Sequence, residues 1–182
     1  SPGRIGGLYD PNTTKTIAAY LFNEIRLSET LKAQIAGRIE HAEVSGSFPD
    51  LAVDPSLSFA RYRNFTPASG AVGLLHDLPF GLVASVSAQY VERAPRAPEL
   101  FSRGVHESTG TFDVGNPNLA IEQAKTVEIG LRRADGPFRF EAALYATRFD
   151  GFIYRDLVGP VCEEDLGSCA YDGPGDLRLA LY

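Results

Sequence analysis

Polar and apolar residues alternate along much of this chain with a period of two. Residues 31–41 show the pattern most clearly, with Ile35 and Ile39 at odd positions and Lys32 and Arg38 at even positions. A β-strand sends successive side chains to opposite faces, whereas a helix would scatter these charges around its circumference. The alternation therefore predicts an all-β chain.

The same alternation predicts seven strands. They cover residues 17–27, 31–41, 68–75, 82–92, 125–133 and 138–149, and a last strand that begins at Leu177 with Leu179 and Leu181 on its apolar face. Most of them exceed the roughly 5–6 residues of an ordinary strand. They match the about 9–11 residues that a tilted strand needs to cross a membrane. Their length therefore favours a membrane barrel over a soluble sandwich.

Short and long connections alternate between the predicted strands. The short ones are residues 28–30, 76–80 and 134–137, and the long ones are residues 41–67, 93–124 and 150–176. Alternate connections of an up-and-down barrel lie on the same rim, and bacterial outer-membrane barrels have short periplasmic turns and long extracellular loops. We therefore expect an antiparallel up-and-down transmembrane β-barrel, with about seven strands of a larger barrel present.

The two faces of such a wall would meet different surroundings. The apolar face is expected to contact lipid, and the charged face is expected to line the interior of the barrel. Tyr90, Phe149, Phe152 and Tyr154 lie near the ends of the long loops. Their position predicts an aromatic girdle at the membrane surface.

Composition narrows the class of protein further. The 182 residues carry a formal net charge of −6, which argues against nucleic-acid binding. The chain begins at Ser1 and contains no Met, so we expect a segment of a longer polypeptide. Cys162 and Cys169 are close together in a polar stretch, which suits a local disulfide in an oxidising compartment. Two free thiols in a cytosolic protein are the alternative.

Two motifs between residues 92 and 133 resemble the barrel region of TonB-dependent receptors. They consist of Arg93, Pro95, Glu99, Leu100 and Phe101, followed by Gly115, Asn116, Pro117, Leu119 and Glu122. Each part also has a physical interpretation. Pro95 lacks a backbone donor and ends a strand, Asn116 and Pro117 signal a turn, and Glu122 opens the returning strand.

This resemblance implies a barrel of about 22 strands with a plugged lumen. Residues 1–182 would then be a segment of that barrel, with the plug domain and the barrel closure absent. The implied function is energy-coupled uptake of a scarce nutrient across the outer membrane of a Gram-negative bacterium. The nutrient would be a ferric siderophore, haem or a metal ion such as zinc. The implied partners are the lipid bilayer, a TonB-type energising protein reached through the missing plug, and the metal-ion or metal-chelate substrate.

A segment of the second long loop, residues 104–110, resembles a loop in receptors that include zinc-uptake members. His106, Glu107 and Asp113 could offer nitrogen and oxygen ligands to a divalent metal. Adjacent residues of an extended chain point apart, which disfavours one ion shared by His106 and Glu107. The alternative is an ordinary loop histidine.

No catalytic signature is present, since the sequence lacks G-x-S-x-G, H-E-x-x-H and a phosphate-binding glycine loop. We therefore expect no enzyme and no cofactor. Three functions remain: an active-transport receptor, a passive porin-like barrel and a soluble all-β binding module. An N-terminal plug would distinguish the first from the second, and stable folding in plain buffer would favour the third.

Overall fold

The computed structural model describes residues 12–50, 54–162, 169–171 and 177–182. The strands are β1 (Thr13–Arg26), β2 (Leu31–Asp50), β3 (Asp54–Phe65), β4 (Ala68–Leu78), β5 (Leu82–Arg93), β6 (Arg103–His106), β7 (Thr111–Val114), β8 (Glu122–Arg133), β9 (Phe140–Asp150), β10 (Asp156–Cys162), β11 (Cys169–Ala170) and β12 (Leu177–Leu181). One short helix, α1 (Ala97–Phe101), precedes β6, and a single 3-10 turn joins β4 to β5. Within these residues no helix has the length and apolar character to cross a membrane.

The larger sheet is an antiparallel wall in the order β1-β2-β4-β5-β8-β9, with β3 paired to the outer part of β2. The wall is part of an open barrel, and the predicted fold class is confirmed. Tight turns close one rim of the wall. Phe80 and Gly81 adopt positive φ between β4 and β5, and Gly136 does so between β8 and β9. The three predicted short connections therefore lie at the same rim.

The strand register places like residues in continuous rows across the wall. Two neighbouring rows form what we call the apolar belt: Ala33–Leu74–Val86–Ile129–Leu144 and Ile35–Val72–Ala88–Val127–Ala146. The opposite side, the polar face, carries the rows Gln34–Gly73–Ser87–Glu128–Tyr145 and Ala36–Ala71–Gln89–Thr126–Thr147.

The two faces differ in crowding as well as polarity. On the belt, Val127 and Ile129 are 55% and 53% exposed. On the polar face, a Cβ at Gly130 would lie only 2.5 Å from the Ser85 Oγ. Side chains converge on the concave side of a curved sheet, so the polar face lines the concave side and the apolar belt covers the convex side.

The first long connection differs from the prediction. Residues 41–67 were expected to form a loop, but β2 continues to Asp50 and pairs with β3 from Ala42↔Phe65 onward. Beyond the belt, the alternation of polar and apolar residues fades, because neither face of the outer part of β2 and of β3 requires an apolar surface. The backbone hydrogen bonds of a hairpin need no such pattern, so the strands continue past the wall.

A second sheet, which we call the loop sheet, has the order β11-β10-β12-β7-β6. The predicted wall strand at Leu177 is wrong in its placement, because β12 pairs parallel to β7 and antiparallel to β10. Leu177 packs with Phe112 and Cys162 in a small core, supported by Leu179 and Val105. An alternating apolar strand serves a water-exposed sheet with one buried face equally well, which is why the pattern did not distinguish the two.

Candidate functional site

The loop between β5 and β8 folds over the polar face of the wall. Leu100 and Phe101 of α1 are 0% and 1% exposed and pack on Val44 and Phe65, at the upper part of β2 and β3. Phe101 approaches β2 so closely that a Cβ at Gly46 would lie 2.7 Å from its ring. The predicted motif segment thus caps the concave side of the wall at the rim that carries the long loops.

Three motif residues form an ion cluster that we call the arginine hub: Arg93, Glu99 and Glu122. The Arg93 guanidinium donates to both carboxylate oxygens of Glu99, at 3.0 and 2.9 Å, and to both oxygens of Glu122, at 3.2 Å each. Glu122 also accepts a hydrogen bond of 2.8 Å from the Ile153 backbone N–H. The hub therefore joins the end of β5, the start of β8 and the segment after β9.

The hub lies at the loop end of the strands, outside the apolar belt, and its charges stabilise each other. Hydrogen bonds from Arg93 lower the pKa of Glu122 against the opposing effect of burial, and the Ile153 N–H adds to the lowering. Burial alone would lower the pKa of Arg93, but its bonds to Glu122 and Glu99 outweigh that effect and raise it. Both groups are therefore ionised over the ordinary pH range.

The remaining motif residues shape the backbone around the hub. Glu99 accepts a hydrogen bond from the Arg96 N–H at 2.8 Å, which caps the short helix. The Asn116 N–H donates to the Glu99 carbonyl at 2.8 Å. At Gly115 a Cβ would lie 2.7–2.8 Å from the backbone of residues 100–102, so only glycine fits there. Arg63 of β3 donates to the carbonyls of Pro117 and Leu119, a contact that sequence analysis missed.

Of the three predicted metal ligands, the structure brings two together. The His106 Nδ1 lies 3.0 Å from the Asp113 Oδ2, and the Asp113 side chain is 1% exposed. The Asp113 Oδ1 accepts a hydrogen bond from the Thr111 hydroxyl at 2.6 Å. Glu107 lies in the exposed turn that follows β6 and is not part of the group.

Arg155 completes this group, which we call the Asp113 cluster. Its Nη1 lies 3.0 Å from the Asp113 Oδ2 and 3.1 Å from the His106 Nδ1. A divalent metal at Asp113 would compete with this fixed positive charge for the same oxygen. The described part of the chain holds no group of three His, Cys, Asp or Glu side chains suited to a metal. A metal site at His106 and Asp113 stays a prediction.

Sequence analysis missed Arg155, which lies 42 residues from Asp113 along the chain. A signal was present, because Arg155 is the single basic residue in the acidic stretch between residues 150 and 176. A charge that is isolated among opposite charges often marks a specific partner elsewhere.

Burial and the Asp113 charge also raise the pKa of Tyr182, whose backbone N–H bonds to Val114.

Cys162 and Cys169 are register partners on β10 and β11 and are joined by a disulfide. Cys162 is fully buried and belongs to the core of the loop sheet. The bridge therefore fastens the edge strand β11 to its neighbour β10 in the loop sheet.

The predicted aromatic girdle is partly wrong. Phe149 shares a strand face with Thr147, which bonds to Thr126 on the polar face, so Phe149 points to the concave side. Its ring lies 5.0 Å from that of Phe152, and Phe152 lies 6.2 Å from Tyr154. The period-two pattern placed Phe149 on the polar side already. Its proximity to the loop end alone had suggested the girdle. Tyr90 does lie on the convex side.

A charged cleft of about 470 Å³ lies between the polar face of β1 and β2 and the segment that leads into α1. Arg38, Glu40, Arg93 and Arg96 contribute to its lining, and Arg38 pairs with Glu40. Such a cleft suits a polar ligand or a polar protein segment on the concave side.

Comparison with known proteins finds a matching family profile and a solved structure with a similar fold. The profile of the family described as TonB dependent receptor-like, beta-barrel matches residues 1–166. A solved structure of a double mutant of the Serratia marcescens hemophore receptor HasR, in complex with its hemophore HasA and heme, aligns with a TM-score of 0.57. The alignment covers 94% of this chain and 29% of that chain at 17% identity. Identity this low shows a shared fold alone, and the chain spans less than a third of the receptor's length.

Proposed function

This chain belongs to the TonB-dependent receptor family, and from that premise we propose that it forms part of an energy-coupled nutrient receptor of a Gram-negative outer membrane. The family is one of outer-membrane transport proteins rather than of enzymes. The chain would supply a portion of the barrel wall together with three of its loops. A TonB-type protein would deliver the energy through a plug domain in the rest of the receptor.

The observation that carries this proposal is the division of the wall into two faces. The apolar belt runs unbroken through residues of β2, β4, β5, β8 and β9 and stays exposed, as in Val72, Val127 and Ile129. An exposed apolar band on the outside of a barrel fits hydrocarbon, and a polar concave face fits a filled, hydrated lumen. A soluble binding module would bury such a belt.

The rims give the proposed orientation. The tight turns after β1, β4 and β8 would face the periplasm, as short turns do in bacterial barrels. The extended β2–β3 hairpin, the motif loop and the loop sheet would face outside. The arginine hub lies at this outer rim. The buried cluster of Val44, Phe65, Leu100 and Phe101 would narrow the entrance on the concave side, where a substrate first meets the receptor.

Ferric siderophore, haem and a metal ion such as zinc are the proposed substrate classes. HasR is a hemophore receptor seen in complex with heme, which supports a haem-type ligand as one of the three. For zinc, calorimetry on the intact receptor and on His106→Ala would test the predicted ligands His106 and Asp113. Equal zinc affinity in both proteins would remove His106 from any metal site.

Transport itself is tested with the complete receptor gene. We expect its deletion to abolish growth on one of the three nutrient classes under starvation, and re-expression to restore it. Uptake should stop when the TonB-type protein is deleted or when a protonophore collapses the proton gradient. Uptake that persists under both conditions would instead support a passive, porin-like barrel.

A further inference from the structure

Three aromatic rings form an exposed cluster on the concave side of the wall, at the rim that carries the long loops. We call this cluster of Phe149, Phe152 and Tyr154 the aromatic platform. The Phe149 and Phe152 rings lie 5.0 Å apart, centroid to centroid, with 59° between their planes. The Phe152 and Tyr154 rings lie 6.2 Å apart and are nearly parallel, with 15° between their planes. Both distances fall within the about 4.5–7 Å of favourable aromatic pairs.

The aromatic platform keeps about half of its surface open. Phe149, Phe152 and Tyr154 are 48%, 55% and 61% exposed. By contrast, Phe101 and Phe112 are buried in the small cores of the same loop region. The platform lies on the side of the wall opposite the apolar belt, so lipid that covers the belt would not reach it. Exposed aromatic residues grouped on a concave surface are typical of a ligand-binding site.

The backbone beneath the aromatic platform is anchored at two points. The Ile153 N–H donates to a carboxylate of the arginine hub at 2.8 Å. The Arg155 Nη1 lies 3.0 Å from the buried carboxylate of the Asp113 cluster. Ile153 lies between Phe152 and Tyr154 in the chain and Arg155 follows directly, so both rings project from an anchored segment. Rings presented in this way lose little conformational freedom when a ligand packs on them.

From this geometry we propose that the aromatic platform binds a flat aromatic face of the transported nutrient. An aromatic side chain offers a large apolar contact and a polarised π surface, which favour another flat ring in offset-stacked or edge-to-face packing. Among the proposed substrates, haem and a catecholate siderophore carry such a face, whereas a zinc ion and a hydroxamate chelate carry none. The inference rests on the proposed function and deepens it, because it names the chemistry that the substrate must share.

The test uses the full-length receptor in detergent, with binding measured by calorimetry. Haem and the ferric complex of 2,3-dihydroxybenzoate are the aromatic probes, and ferric desferrioxamine is a chelate without an aromatic ring. We expect at least one aromatic probe to bind, and the one that binds identifies the source of the aromatic face. The double variant Phe152→Leu/Tyr154→Leu should weaken that binding by about tenfold, since it removes two aromatic contacts. Failure of both aromatic probes to bind, or equal affinity in the double variant, would overturn the proposal.

Two further variants distinguish the aromatic face from other effects. Tyr154→Phe keeps the ring and removes only the hydroxyl, so it should bind like the unmodified receptor. Phe140→Leu is the matched control, because Phe140 is a half-exposed residue of the same strand, β9, on the side of Leu144 and the apolar belt. It should leave binding unchanged. A loss in Tyr154→Phe or in Phe140→Leu as large as that in the double variant would assign the effect to the hydroxyl or to β9 as a whole, and would overturn the proposal.

The same receptor distinguishes this inference from the function on which it rests. Unmodified receptor that is absent from the outer membrane, or whose uptake does not depend on the TonB-type protein, would refute the proposed function. Receptor that is present and takes up its nutrient in a TonB-dependent way, with an affinity independent of Phe152 and Tyr154, would refute the aromatic platform alone.

Discussion

Ile129 in the wall is more than half exposed, whereas Leu100 and Phe112 in the loop region are buried almost completely. The wall consists of long antiparallel strands with wide contact between neighbours, and its apolar residues point away from the rest of the chain. The loop region consists of short strands and one helical turn around two small cores, one of which includes Val44 and Phe65 of the β2–β3 hairpin.

The difference shows that the two regions depend on different surroundings. Between neighbouring strands the wall satisfies its backbone hydrogen bonds within the sheet, and it leaves its apolar surface to be covered by lipid. The loop region is built like a small water-soluble protein. It buries apolar side chains in small cores and pairs its buried charges in the arginine hub and the Asp113 cluster. Perturbations should therefore affect the two regions separately.

The largest effect is expected from Phe101→Ala. Removing a fully buried Phe side chain costs about 3–5 kcal/mol, and the core around Leu100, Val44 and Phe65 is too small to compensate. We expect the motif loop to become open to limited proteolysis while the wall keeps its heat-resistant mobility in gel electrophoresis. Phe152→Ala is the control, because Phe152 is 55% exposed. Joint unfolding of wall and loop in Phe101→Ala would show that the regions are coupled.

Ile129→Lys addresses the wall. A Lys at the lipid face near the membrane midplane costs about 2–4 kcal/mol, so assembly into the outer membrane should fall. Glu128→Lys, one residue earlier on the polar face, introduces the same side chain into the lumen and should assemble normally. The yield of folded receptor in outer-membrane fractions measures both. Similar losses in the two variants would contradict the assignment of the faces.

Cys162→Ser/Cys169→Ser should act on the loop sheet alone. A bridge that closes so short a ring is expected to contribute about 2–3 kcal/mol by restricting the unfolded chain. We expect faster hydrogen exchange in β10 and β12 and unchanged exchange in β4 and β5. Unchanged exchange in β10 and β12 would mean that the core around Phe112 and Leu177 holds the loop sheet without the bridge.

The same contrast explains what could be predicted from sequence. Wall strands such as 82–92 and 125–133 were recognised because lipid on one side and polar surroundings on the other impose strict alternation. The β2–β3 hairpin was not predicted because the alternation fades beyond the belt. The strand at Leu177 was misplaced because, outside a membrane, a short alternating run fits several sheets. The parallel pairing of β12 with β7 depends on tertiary contacts that no local pattern carries.

The residues of the candidate site could also be predicted from sequence only in part. The motif residues Arg93, Glu99 and Glu122 were identified from their resemblance to a family motif, and only the structure showed that they form one ion cluster. Of the predicted ligands, the structure brings His106 and Asp113 together without Glu107, and Arg155 joins them from a distant loop. A pairing between remote loops leaves a trace in the sequence only when, as here, one charge stands out among its neighbours.

The smallest effect is expected from Glu122→Gln, which keeps the shape of the hub and removes one charge. We expect a loss of about 1 kcal/mol in local stability, because the amide oxygen still accepts a hydrogen bond from Arg93 although the NH2 group replaces the second acceptor. The pH dependence is more informative. Arg93 holds the pKa of Glu122 below its ordinary value, so its contribution is complete above the unfolded pKa and is lost as pH falls through the folded pKa.

Exchange of the Ile153 amide provides the local readout, since this N–H donates to the Glu122 Oε2. In the unmodified receptor its opening free energy should decrease as the solution is acidified through that range, and in Glu122→Gln it should stay constant there. The Gly115 amide, which bonds to the Ser102 carbonyl at 2.7 Å, is the backbone reference. An equal acid response of the Ile153 amide in both proteins would locate the titrating group elsewhere in the loop region. The hub would then act through its shape rather than its charge.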